Sequence, residues 1–163
     1  MTGPAWRKTV AASLSAALAA LAGAAGAQAP NAEGVYASAA QLRALTGELK
    51  DGVATAPAPT GPGTTLLAAR RDKPGQVEVH THLNDELVAQ AGHATVRVGG
   101  AVAGARQTAP GEFRGGTMSG GREYQLAPGD ILWIPAGAPH QVTPKGGEFR
   151  YLAFKFEAAP AAK

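Results

Sequence analysis

From Thr64 onward, glycine and proline cut this chain into short pieces, and several of those pieces alternate polar with apolar residues. That punctuation constrains the fold more than any other feature. Asp72-Lys73-Pro74-Gly75 has turn chemistry, residues 76–80 alternate, and residues 94–98 alternate again. Residues 64–70, 86–91, 123–126, 131–134 and 148–156 read as further strands, while Leu83-Asn84-Asp85 reads as a tight turn. Residues 99–121 are glycine-rich with weak strand signal. The stretch is too long for a hairpin loop, so part of it is expected to line or cover an opening. Many short strands separated by Gly/Pro turns predict an all-β sandwich or barrel.

Upstream of the strands the pattern changes. Ser38 is a candidate N-cap, Leu42, Leu45 and Leu49 recur at helical spacing, and Gly52 is a stop, so residues 38–50 predict a short helix. Residues 54–63 form a Pro/Gly-rich connector. Residues 28–63 are thus a lead-in with helix and connector, residues 64–157 the barrel, and residues 158–163 an alanine-rich flexible tail. At the very start, Trp6-Arg7-Lys8 precedes an alanine- and leucine-rich run over residues 10–22, followed by Ala25-Gly26-Ala27. That is the layout of a secretory signal peptide over residues 1–27, cleaved near Ala27, and it predicts a periplasmic or secreted protein. The run is too short to span a bilayer, so no membrane association is expected of the mature form.

Without the leader the chain carries 13 basic against 12 acidic residues, and Arg70-Arg71 is its one notable basic pair. Nucleic-acid binding has no footprint in such a surface. Zero cysteines exclude disulfides, thiolate ligands and thiol nucleophiles together. Ser38 and Ser119 are the only serines beyond the leader, and neither has a nucleophile motif around it.

Three of the four histidines fall into two short clusters. His80 and His82, two residues apart, share one face of a strand, directed inward if Val77 and Val79 face the other way. His140 follows Gly129, Pro135 and Gly137, a bend able to aim a side chain back inside. Imidazoles suit zinc, copper, nickel and iron(II). A carboxylate completes the set. Glu86 has the expected gap counted forward from His82, and Asp85 has the more usual gap counted back from Gly92, so the choice stays open. His93 reads as an exposed turn residue. Arg70, Arg114 and Tyr151 are candidates for gripping an anionic substrate, and Trp133 for the barrel wall.

With these residues in view the chain resembles the cupin superfamily. Gly75, His80, His82, Glu86 (or Asp85) and Gly92 match its first motif, and Gly129, Pro135, Gly137 and His140 match its second. Pro144 stands where an asparagine is common. The resemblance covers about residues 64–157, and more narrowly the chain looks like small exported single-domain bacterial cupins. It implies an antiparallel jelly-roll β-barrel with a divalent transition metal inside (Fe, Mn, Zn or Ni), a small-molecule ligand or substrate, and a homodimer. The implied functions are a metal-dependent oxygenase, isomerase or lyase, or a non-catalytic binding protein.

Overall fold

The computed structural model describes residues 34–158. The expected leader, the first residues after it and the last five residues of the tail lie outside the described residues. The helix α1 spans Ala39–Leu45 and opens on the expected Ser38, whose hydroxyl accepts from Gln41 N while Gln41 Oε1 accepts from Ser38 N. It is shorter than the leucine spacing predicts. Thr46 turns its side chain onto Arg43 O, and Arg70 takes the carbonyls of Thr46 and Gly47, so the backbone leaves the helix at Thr46 and Leu49 falls outside it.

Gly52 does not act as a helix stop. Asp51 (φ 53°) and Gly52 (φ 82°) form a two-residue turn closed by Lys50 and Val53. It opens β1 (Val53–Pro57), so strand begins at Val53 and runs into the stretch read as connector, ahead of the expected start at Thr64. Pro57 is tolerated because β1 is an edge strand, paired only with β2 (Thr65–Arg71).

The other strands are β3 (Glu78–His80), β4 (Leu83–Val98), β5 (Ala101–Ala103), β6 (Arg106–Ala109), β7 (Glu112–Arg114), β8 (Thr117–Ser119), β9 (Arg122–Leu126), β10 (Ile131–Ile134) and β11 (His140–Glu157). The glycine-rich stretch therefore resolves into four short strands, β5 to β8. The two long strands β4 and β11 pair antiparallel along most of their length, from His140 opposite Val98 to Glu157 opposite Leu83. On its other side β11 pairs with β2 and, at its first residue, with β3. β9 and β10 pair with β4, and β7 joins β3 to β6. The result is a mostly β, curled antiparallel sheet with one short helix against β1 and β2.

Both long strands bend where glycine permits it. Gly92 has φ 72°, and a Cβ there would lie 2.0 Å from Glu148 O, so only glycine lets β4 pass β11 at this point. Inside the curl, Leu87, Val96, Leu126, Ile134 and Val142 pack with Phe149, whose ring stacks on Tyr151 at 5.2 Å between centroids.

Candidate metal centre

Strand parity builds the site. On β3, Glu78 and His80 share the inner face. On β4, Asp85, Leu87 and Ala89 alternate inward and are buried, while Glu86 and Val88 turn outward. On β11, Tyr151, Ala153 and Lys155 follow the same alternation, and His140 sits at the strand's start. The bend before His140 is fastened to β3: Gly137, at φ 80°, donates its N–H to His80 O at 2.7 Å.

Register then brings these residues face to face. His140 lies opposite Glu78, Lys155 opposite Asp85, Glu112 opposite His80 and Arg114 opposite Glu78. Four potential ligand atoms converge. His80 Nε2 is 3.3 Å from Asp85 Oδ2 and 3.6 Å from Glu78 Oε2, and His140 Nε2 is 3.6 Å and 4.0 Å from the same two oxygens. His80, Asp85 and His140 are each exposed by only 2–3%.

The other nitrogen of each ring is committed. His80 Nδ1–H donates to Glu112 Oε2 at 2.6 Å, and His140 Nδ1–H donates to Ala138 O at 3.1 Å. Both tautomers are thereby set with Nε2 facing the centre, the arrangement that outer hydrogen bonds give to metal-binding histidines. Glu78, His80 and His140 form a group that could hold a metal ion, with Asp85 beside them. Nitrogen and carboxylate oxygen together suit the divalent transition metals.

The electrostatics favour positive charge in the middle. Burial works against an ionised Glu78, yet the His80 ring, 3.6 Å away, and the Arg114 and Arg71 guanidiniums hold it down at about 2. Asp85 is also lowered: burial opposes its charge, but His80 and the Lys155 ammonium outweigh it. For His80, burial disfavours the imidazolium, while the Asp85 and Glu78 carboxylates beside Nε2 overcome this and lift it to about 9. Burial lowers His140, outweighing the opposite pull of Glu78 and Asp85. Lys155 Nζ lies 2.6 Å from Asp85 Oδ1 and 3.1 Å from His80 Nε2. Arg114 pairs with Glu78, and Arg71 bonds Glu78 at 3.0 Å and the Tyr151 hydroxyl at 2.9 Å. The cluster opens onto a cavity of about 710 Å³ whose wall includes Arg71, Glu78, Asp85, Arg114, His140 and Lys155.

Of the residues singled out in the sequence, His80, His140 and Asp85 meet here, and His82 and Glu86 do not. β3 ends at His80, and the chain bends at Thr81 and His82, so strand parity does not extend to His82. Its ring is exposed beside Gly111. Leu83, Asn84 and Asp85 are strand rather than turn, which sends Asp85 inward and places Glu86 outside, opposite Trp133 and Phe154. Arg70 faces α1, whereas Arg114 and Tyr151 line the cavity. Trp133 is half-exposed on the outer face, stacked on Phe156. His93 is exposed, as expected, but lies within β4 rather than in a turn. Glu78, Arg71, Glu112 and Lys155 were not singled out. The signal for Glu78 was available, since it alternates with His80 on the same short strand.

Residues 114–162 match the family model of the AraC-like ligand binding domain. Among solved structures, the chain is similar to TT1209 from Thermus thermophilus, with TM-score 0.53, 22% identity, and coverage of 71% of this chain and 93% of that one. It is similar to a Klebsiella pneumoniae protein with a double-stranded β-helix domain, with TM-score 0.52, 13% identity, and 70% and 80% covered. The cupin domain of Cnp3 from Schizosaccharomyces pombe aligns with TM-score 0.50, 10% identity, and 69% of each chain covered. The fold is that of a cupin. No curated protein matches this chain in sequence. At these identities the structural likeness is one of fold, and the chemistry of the centre follows from the chain's own residues.

Proposed function

We propose that this cupin is an exported protein that binds a divalent transition metal through His80, His140, Glu78 and Asp85, and a small anionic molecule in the adjoining cavity. The observation that carries this reading is the pair of fixed tautomers. Each ring spends Nδ1 on an acceptor outside the centre and presents Nε2 to the carboxylates of buried Asp85 and half-buried Glu78. Four protein donors leave about two positions on an octahedral ion. A bound ion there supplies Lewis-acid polarisation of a ligand oxygen.

Charge supports the anionic ligand. Arg71, Arg114 and Lys155 already offset Glu78, Asp85 and Glu112 around the centre, so a divalent ion adds positive charge that an anion would complement. The family model's description as a ligand-binding domain supports a small-molecule ligand. The cavity at the centre favours a second reading, turnover of that molecule by oxygenase, isomerase or lyase chemistry. The basic and alanine-rich start supports export, and the exposed Ile131, Trp133 and Phe156 around edge strand β10 support a homodimer.

Metal content of the purified protein is the test. The wild type is expected to carry near-stoichiometric metal. His80→Ala and His140→Ala lose it, while His82→Ala and Glu86→Gln keep it, with the β-sheet circular dichroism unchanged in all four. Loss of metal in His82→Ala with retention in His140→Ala would overturn the ligand set. Intact mass of the exported form reads the cleavage site, and native mass reads the dimer.

A further inference from the structure

The Lys155 ammonium lies inside the centre, and no motif in the sequence points to it. It reaches across from β11 to bond Asp85 Oδ1 at 2.6 Å and lies 3.1 Å from His80 Nε2, with only 14% of its side chain exposed. When the His80 ring carries one proton, Glu112 holds it on Nδ1, and the Nε2 lone pair is then the acceptor for a Lys155 N–H. A metal ion on His80 needs that same lone pair, at about 2.0–2.1 Å from the nitrogen. Ion and ammonium would then be like charges a few ångströms apart in a place largely closed to water, where screening is weak.

We propose that Lys155 is a resident cation of the centre: it holds Asp85 and His80 Nε2 in the metal-free chain, and it swings into the cavity when a divalent ion binds. The inference rests on the metal-binding reading above. Three further observations support it. Asp85 is 3% exposed and makes no other ion pair with a lysine or arginine among the described residues, so without metal Lys155 supports its charge alongside His80. Lys155 already forms part of the cavity wall, so its flexible four-carbon stem has space to turn into. Glu78 and Glu112 are engaged by Arg114, and Glu78 also by Arg71, so no second carboxylate competes for the ammonium where it stands. The displaced ammonium then faces the cavity beside Arg71 and Arg114. Metal entry thus converts an internally paired lysine into a group that meets the anionic ligand.

Zinc titration of the purified chain against a competing chelator tests this. Lys155→Met is expected to bind zinc at least about tenfold more tightly than the wild type, a difference of about 1.4 kcal/mol. The metal-free variant melts lower than wild type, because Asp85 has lost its cation, and zinc raises its melting temperature by more. On the wild type itself, reductive ¹³C-methylation followed by peptide mass spectrometry reads the position of Lys155: slow labelling without zinc, faster labelling with it. This second measurement decides the matter if Lys155→Met does not fold. Zinc binding by the variant alone supports the proposal. Equal affinities with zinc-independent labelling overturn it and leave the metal centre standing. Zinc binding by neither protein overturns the metal centre, and the role of Lys155 with it.

Discussion

His80 shows how much a single side chain is asked to do. Its ring is buried, its Nδ1–H is held by Glu112, and its Nε2 faces Asp85, Glu78 and the Lys155 ammonium. Only one positive partner fits on Nε2 at a time, whether proton, ammonium hydrogen or metal. Glu112 never faces the centre, yet it fixes which nitrogen does. Glu112→Gln is therefore expected to weaken zinc affinity about 10- to 100-fold while Glu78, Asp85 and both histidines remain in place. Chelator-competition titration measures this, and an unchanged affinity would show that Glu112 does not set the tautomer. Glu112 could not be found from spacing. It lies 32 residues from His80 and is brought to it only because β7 pairs with β3.

Among the elements, α1 depends most on distant side chains. Arg70 bonds Thr46 O, Gly47 O and Glu148, and Arg150 bonds Arg43 O, Thr46 Oγ1 and Glu148. Glu148 thus locks both arginines against the end of a seven-residue helix too short to persist alone. Burial opposes its charge, but the bonds from Arg70 and Arg150 together outweigh it and hold its pKa below the ordinary 4.5. A lowered folded-state pKa stabilises the fold above the unfolded value and loses that contribution as pH falls through the folded one. Glu148→Gln should therefore melt lower than wild type at neutral pH. The gap should persist down to about pH 4.5 and close below it, as scanning calorimetry across pH would show. A gap independent of pH would mean that packing, not charge, holds α1. At the same scale the sequence was half legible. The Ser38 cap and the strand alternation were visible, but Asp51-Gly52 was passed over as a helix stop. The bend at Thr81 and His82 carries no Gly or Pro to announce it, so parity was carried one step too far.

For the whole molecule, β4 and β11 form one long pairing interrupted by a bulge, and Phe149 stands at that interruption with no solvent exposure. Phe149→Ala is expected to cost about 3–5 kcal/mol in denaturant unfolding, because β2 and β4 flank it and cannot collapse onto the space. A loss under 1 kcal/mol would show that the core lies elsewhere. The molecule as a whole also explains which parts of the site were readable. The all-β class, the inward bend at Gly137 and the roles of His80 and His140 as centre residues follow from local chemistry: period, turn residues and side-chain type. The choice between Asp85 and Glu86, left open by spacing, depends on where β3 stops and β4 starts. The sequence by itself determined that this chain would form short antiparallel strands and carry imidazoles able to meet. Tertiary structure alone decided that Glu78 and Lys155 stand among them and that His82 does not, because cross-strand register joins residues that no local pattern along the chain connects.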